Sequence, residues 1–480
     1  MIYRVSWTIV AAALLSACAT RGHAMLPATN GIDMTHFMRF SAGAGPAGRI
    51  KHIVVVIQEN RTLNDLFGGP DGFPGAYTVA YGSTSKGKSK KLVARSLGNI
   101  LDLSNFYPKY LNACNAPNKP PFPIGKPSPC RMNGFDKNDV AFQQTPYSYV
   151  PHKESKPYWD LAKAYTLGDR FFSSHNADSY TGHQYLFSGQ SAGIDQAPVK
   201  TGGFAFFTKW SCGADNDARS YLTDPGTWQQ TKDPVGPRPC FNYLSIADLL
   251  NQKGLRWRMY TFAPNYNING LGVNRSIWVK QFQNYSYVTF TSSRLLDDLK
   301  EPNYKLAEVT WVLPSPFCSD HPMAGPAWCG PTWVASVVDA LAKSHFWNDT
   351  AIFVTWDDWG GFYDPVPPYV VRDAFGPGPR IPLIVAGGYA KRHHVSHVNT
   401  EFGTLLAFIE ETFWLPNLGG PAEDTSPYLN NFDDFFDFNS PPKAPTLVPY
   451  AKPVEFFRQR EDLKLLEKYP GLRRFFMGDD

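Results

Sequence analysis

Charge is scarce in this chain. Only 18% of its 480 residues are charged, against 43% that are hydrophobic. That balance excludes a disordered polyelectrolyte. Neither sign dominates: 46 Lys and Arg against 42 Asp and Glu leave a net +4. No general nucleic-acid binder is built that way, so nucleic acid is not an expected partner. The apolar run at the start, Trp7 to Leu15, is too short to cross a bilayer as a helix. Short-period repeats and heptads are absent, which excludes a solenoid or a coiled coil. No cysteine pair has the C-x-x-C spacing of a zinc site. What is present is length enough for one large α/β enzyme domain or two to three average ones. The 39 Gly and 41 Pro indicate long loops between the elements of a sizeable core.

The first residues carry an address. Arg4 precedes the run Trp7 to Leu15, which fits the h-region of a secretory signal. Leu15-Ser16-Ala17-Cys18 follows and resembles the lipobox of bacterial lipoproteins. The resemblance implies cleavage before Cys18, acylation of that residue, and membrane attachment in the bacterial envelope. An ordinary signal cleaved near Ala17-Cys18-Ala19 is the alternative. Residues 1–18 are then the signal peptide and 19–48 a tether. Six cysteines remain, an even number that suggests three disulfides after export. The gaps favour neighbour pairing: Cys114 with Cys130, Cys212 with Cys240, and Cys318 with Cys329.

The body reads as α/β. His52 to Ile57, Ala351 to Thr355 and Pro382 to Ala386 are continuous apolar runs, as in strands buried on both faces. Val309 to Leu313 and Arg256 to Phe262 are weaker strand candidates. Between them lie helical patterns. Ser245 to Gly254 has an N-cap serine and a terminal glycine. Thr332 to Leu341 and Thr400 to Phe413 each place apolar residues on one face. Alternating strands and helices predict a mostly parallel central sheet flanked by helices. Segments 69–150 and 190–240, rich in Pro and Gly and bearing cysteines, read as disulfide-stapled loop insertions. The main domain is expected over 49–440. A tail over 441–480 is expected to pack on it, with one amphipathic helix over Val454 to Lys468.

Polar clusters stand where two strands end. Gln58-Glu59-Asn60-Arg61-Thr62 follows the first strand, and Asp357-Asp358-Trp359-Gly360-Gly361 follows the 351–355 strand. Ligands of open α/β sheets collect beyond the carboxyl ends of strands. Glu59, Asp357 and Asp358 converging there would repel one another unless a cation lay between them. Oxygen donors, with Asn60 as a neutral fourth, suit a hard or borderline divalent ion.

These segments resemble the bacterial phosphoesterase family, which contains non-hemolytic phospholipases C and an acid phosphatase. His52-Ile-Val-Val-Val-Ile-Gln-Glu-Asn-Arg-Thr-Leu-Asn-Asp-Leu-Phe-Gly68 is similar to its opening motif. Asp357-Asp-Trp-Gly-Gly-Phe-Tyr-Asp364-Pro-Val-Pro-Pro368 is similar to its later acidic motif. Ser319-Asp-His-Pro322, Gly378-Pro-Arg-Ile-Pro382, Phe408 to Phe413 and Phe435 to Phe438 follow its remaining landmarks in order. The resemblance implies an alkaline-phosphatase-like fold and metal-dependent hydrolysis of phosphoesters, phospholipids among the candidate substrates. It implies one divalent ion (Zn, Ca, Mg or Mn) held by Glu59, Asn60, Asp357 and Asp358. It places a nucleophile at Ser179 in Ser179-Tyr-Thr-Gly-His-Gln-Tyr-Leu-Phe-Ser-Gly189, with Thr181 as the competitor. The reaction would pass through a phosphoserine.

The chain also departs from the family. Pro365 stands where the family has His, Phe402 lies near another family His, and Asn105 replaces an early one. His183 occupies the slot of a family Arg and is expected to contact phosphate. His321 is retained as the candidate leaving-group acid. His175, four residues before Ser179, has an open role. His393, His394 and His397 read as a solvated cluster. No Cys/Ser-x-Pro-x-Arg segment is present, which disfavours a sulfatase. The lost histidines leave one alternative, a lipid-anchored binding protein on a catalytically degenerate version of the fold. The sequence says nothing of oligomeric state.

Overall fold

The computed structural model describes residues 45–98, 102–138, 146–200, 208–263, 266–279, 287–322 and 325–477. The signal peptide, Cys18 and nearly all of the tether lie outside the described residues.

Nine strands form the main sheet. They are β1 (His52–Gln58), β2 (Thr166–Phe172), β3 (Trp257–Tyr260), β4 (Val288–Thr289), β5 (Val309–Val312), β6 (Thr350–Trp356), β7 (Arg380–Gly387), β8 (His394–Ser396) and β9 (Thr400–Glu401). The order is β8-β2-β7-β6-β1-β5-β3-β4, with β9 also on β2. Only β7 runs against its neighbours β6 and β2; every other pairing is parallel. The sheet is therefore mixed but mostly parallel, as the sequence predicts.

Alternation along β1 explains the layers. Ile53, Val55 and Ile57 join one apolar core, and Val54 and Val56 the other. Six helices supply much of the covering. On the second face lie α1 (Leu63–Phe67), α2 (His152–Ala164) and α5 (Cys329–Lys343). On the first face lie α3 (Ser179–Ser188), α4 (Ile246–Lys253) and α6 (Phe402–Phe413). Continuous apolar runs in β1, β6 and β7 follow from burial on both sides. Ser245 and Asp248 close a capping box on α4, and Gly254 ends it at φ +72°.

Two elements differ from the sequence reading. β2 carries Gly168, Asp169 and Arg170, which hide its strand pattern. Each has a tertiary reason. Gly168 faces the Phe435 ring closely, Asp169 accepts from Tyr77 and His397, and Arg170 donates to Asn399. The expected single helix at 454–468 is two: Val454–Arg458 and Leu463–Glu467. Asp462 restarts the turn by accepting from the Lys464 N–H. A further helix, Pro470–Met477, follows. Val454, Phe457, Leu466 and Phe476 are buried against the body.

The three disulfides join the expected neighbours, Cys114 to Cys130, Cys212 to Cys240 and Cys318 to Cys329. The first staples a loop region with its own small apolar cluster, which includes Tyr107, Phe135, Tyr147, Trp359 and Tyr363. No helix among the described residues is long and apolar enough to cross a membrane.

Candidate active site at the carboxyl end of the sheet

Parallel pairing sets the site. β1 and β6 run in register to Gln58 opposite Trp356. The next residues, Glu59 and Asp357, therefore emerge side by side at one rim. The Asp357 N–H donates to the Gln58 carbonyl (3.0 Å), and the Arg61 N–H to that of Asp358 (3.0 Å). Asn60 turns the chain at φ +58°, a left-handed value that asparagine tolerates. Its N–H donates to Asp357 Oδ1 at 2.8 Å. Gly360, at φ +57°, lies so close to Asn60 that a Cβ there would stand 2.3 Å from the Asn60 carbonyl oxygen. Only glycine meets both demands.

α3 delivers the remaining groups. Asp178 caps it and Ser179 is its first residue. Ser179 Oγ donates to Asp358 Oδ2 at 2.9 Å and lies 3.3 Å from Asn60 Oδ1. One turn on, His183 Nε2 is 2.9 Å from Glu59 Oε1 and 3.6 Å from Asp357 Oδ2. The close approach needs Gly182, where a Cβ would meet the Asp357 carbonyl oxygen at 2.6 Å. All six side chains are buried; Ser179, the most exposed, is at 4%.

The structure thus brings together Glu59, Asn60, Asp357, Asp358, Ser179 and His183. It divides them into two groups. Asn60 and Asp358 hold the serine hydroxyl. Glu59, His183 and Asp357 present ligand atoms that all lie within 4.8 Å of one another. Glu59 Oε2, Asp357 Oδ2 and His183 Nδ1 are buried with no hydrogen-bond partner. Orphaned carboxylate oxygens at such depth are costly, and a cation would satisfy them. A Glu, His and Asp set of mixed nitrogen and oxygen donors fits a divalent metal.

Electrostatics agree with that reading. Burial, and then the Asp357 charge, hold the Glu59 carboxyl well above the usual range. The same two causes raise Asp358, against donors from Gly360, Asn105 and Ser179. Burial pushes His183 down to about 4 although Asp357 pulls the other way. The metal-free site thus favours protons on the Glu59 and Asp358 carboxyls and none on the His183 imidazole.

His321 sits in the loop after β5. That loop joins the cluster through its backbone, since the Glu59 N–H donates to the Ser319 carbonyl (2.8 Å). His321 Nδ1 is 2.6 Å from the Pro322 carbonyl, and its ring meets Phe476 edge-on at 5.4 Å. Desolvation raises the nearby Asp102 carboxyl, with His321 and Arg61 opposing it. Thr181, the competing hydroxyl, faces elsewhere: it donates to the Asp178 carbonyl (2.7 Å) and lies 3.2 Å from His175 Nδ1. His175 is buried between the Tyr185 and Phe375 rings, where burial pushes it down to about 3. His393, His394 and His397 go to three separate partners, the Lys163 carbonyl, Asp434 and Asp169.

Several motif residues build the frame instead of the site. Asp364 pairs with Arg380 at 3.0 Å, both fully buried. Arg61 ties the first cluster to the Asp320 carbonyl (2.8 Å) and to Asp65 (3.1 Å). Asp320 accepts from Tyr158 and Trp356. Asn105 is a site contact that the sequence shows only as a replaced histidine: its Nδ2 donates to Asp358 Oδ2 at 2.8 Å.

Known proteins resemble this chain. A non-hemolytic phospholipase C of Burkholderia pseudomallei is 24% identical over 463 residues, covering 84% of this chain and 62% of its own. One from Pseudomonas aeruginosa is 22% identical over 77% of this chain and 55% of its own. The chain thus spans about six-tenths of the length of these two. Phospholipase C B of Mycobacterium tuberculosis is 24% identical and covers 85% of both chains. Among solved structures, a protein in the alkaline phosphatase superfamily from Vibrio parahaemolyticus aligns over 76% of this chain and 67% of its own. Its identity is 12% and its TM-score 0.33. Residues 50–416 match the Phosphoesterase family, and the chain belongs to that family.

Proposed function

We propose that the protein is a metal-dependent phosphoric ester hydrolase, of phospholipase C or acid phosphatase type, with Ser179 as its nucleophile. The observation that carries the reading is the Ser179 hydroxyl bonded to Asp358 at 2.9 Å, beside the Glu59, His183 and Asp357 group. Glu59, Asn60, Asp357 and Asp358 are the proposed ligands, and His183 adds a nitrogen donor to them. When bound, a divalent ion supplies positive charge that neutralises the ester oxygens and favours the serine alkoxide.

The chain's own groups do the rest. Asp358 takes the hydroxyl proton as Ser179 Oγ attacks phosphorus. The bond from phosphorus to the alcohol oxygen breaks, and His321 or water protonates the leaving oxygen. Water then attacks the phosphoserine and gives a proton back to the group that protonated the leaving oxygen. The bond from phosphorus to Oγ breaks, and Asp358 returns its proton to Ser179 as the phosphate product leaves. The head of α3 is a favourable place for the phosphoryl oxygens, because backbone N–H groups converge there. Phospholipid is the proposed natural ester, in keeping with the names of the relatives. Three disulfides favour an oxidising compartment, and they support export as part of the reading. Attachment through an acylated Cys18 is the proposed anchor.

A metal-supplemented assay separates the readings. Hydrolysis of p-nitrophenyl phosphate alone marks a monoesterase; hydrolysis of p-nitrophenylphosphorylcholine marks a phospholipase C type. Turnover of neither by metal-loaded protein rejects the hydrolase and leaves the binding protein. On whichever ester is turned over, Gly182→Ala is expected to lower kcat by about 10²-fold by pushing α3 off Asp357. Steady-state kinetics with the folded variant checks it.

A further inference from the structure

The loop after β3 reaches the same rim, because β3 runs parallel to β1 and β6 through β5. It packs on the nucleophile helix: a Cβ at Gly270 would stand 2.6 Å from the His183 carbonyl oxygen. This loop carries buried polar groups that the mechanism above does not use. The Tyr266 hydroxyl is buried and has no hydrogen-bond partner. Both amide atoms of Asn269 are likewise buried and unpartnered. A buried tyrosine hydroxyl normally finds an acceptor.

The position of Tyr266 is held from three sides. Its ring meets Phe262 edge-on at 5.5 Å and Phe476 at 5.6 Å. The neighbouring Asn267 N–H donates to the Phe476 carbonyl at 2.7 Å. Phe476 in turn contacts His321. Tyr266 therefore stands on the side of the site that holds the candidate leaving-group acid. A buried phenol with no partner is a donor left over by the fold.

We infer that Tyr266 is a catalytic residue whose hydroxyl donates a hydrogen bond to a phosphoryl oxygen of the ester as negative charge grows there. The inference rests on the hydrolase reading and names a residue no motif of the sequence marks. A fixed donor aimed at developing charge acts more on the transition state than on the bound ester. The lone hydroxyl is thereby explained as an acceptor-seeking group completed by substrate.

Tyr266→Phe removes one oxygen and keeps the ring that Phe262 and Phe476 grip. The variant, with wild type and Ser179→Ala beside it, is assayed on the better of the two nitrophenyl esters. Metal content and thermal unfolding are measured in parallel. The expected result is a kcat about 10²-fold lower with KM within about threefold, wild-type metal content and unchanged unfolding. Inhibition by orthovanadate, which mimics five-coordinate phosphorus, is expected to weaken at least about tenfold. Inhibition by inorganic phosphate should weaken less. A purely structural tyrosine would not separate the two inhibitors. A kcat within twofold of wild type overturns the inference, as does a rate loss that follows loss of metal or fold. If Ser179→Ala is inert while Tyr266→Phe is fully active, this inference fails and the hydrolase reading stands. If wild type turns over neither ester, both fail.

Discussion

Ser179→Ala is expected to lower kcat on the nitrophenyl esters by about 10⁴-fold or more. The loss is large because no other hydroxyl takes over. Thr181 lies two residues on, but it is committed to the Asp178 carbonyl and to His175. The change removes one oxygen at the end of a helix, and Asp178 still caps that helix. Thermal unfolding should therefore shift by no more than a few degrees. Losing Ser179 Oγ also removes the donor that favours charge on Asp358. Denaturing mass spectrometry after a rapid quench adds a direct check. Wild type should carry a phosphoryl group during turnover and the variant should not. Substantial activity in the variant would remove Ser179 from the mechanism.

The second large effect concerns the metal. Glu59→Ala and Asp357→Ala are each expected to cost the protein its bound ion by elemental analysis, and activity with it. Stability should move in the opposite sense in metal-free protein. The Glu59 and Asp358 carboxyls are raised above ordinary values of 4.5 and 3.8. The folded chain therefore keeps protons that the unfolded chain has released. Stability contributed by these groups is greatest below the ordinary carboxylate range. It is lost as pH rises from there through the raised folded values. A bound cation favours the ionised carboxylates, so its stabilisation should grow over the same pH window. At a free ion concentration of 100 Kd the gain is about 2.7 kcal/mol. Thermal melts across pH with chelator and with added Zn, Mn, Mg or Ca test this. A metal-free melting temperature that rises with pH through this window would contradict the burial of an acidic cluster. In Glu59→Ala the pH-dependent loss should shrink, because one of the crowded carboxyls is gone.

Much of the frame was legible because burial leaves a plain mark on composition. β1, β6 and β7 are apolar on both faces, and their runs in the sequence give them away. The polar clusters after β1 and β6 were legible for the same reason. A buried run that ends abruptly in Glu59-Asn60 or Asp357-Asp358 marks a rim. β2 was hidden because its glycine and charged residues answer to distant partners, Phe435, His397 and Asn399. The 454–468 segment looked like one helix because its apolar spacing continues across a break set by Asp462.

Within the site, the sequence placed side chains but not their partners. His183 is expected against phosphate, and the sequence gives no sign that its Nε2 also lies 2.9 Å from Glu59 and 3.6 Å from Asp357. Asn105 read as the loss of a histidine, yet its amide touches Asp358. Tyr266 has no local signal, because its place depends on β3 lying two strands from β1. Asp364, Arg380 and Asp320 belong to recognisable motifs and still serve to hold strands and loops together. A motif records which residues a fold needs, and folding needs buried ion pairs as well as reacting groups.

The Cys318–Cys329 bridge has a consequence for where the protein is safe to make. It clamps the loop in which the Ser319 carbonyl anchors Glu59 and the Asp320 carbonyl anchors Arg61. While its thiols stay reduced, that loop loses its clamp. On the proposed hydrolase reading, ion binding and turnover would then follow oxidation of this one bridge, so the chain would be dormant until the bridge closes.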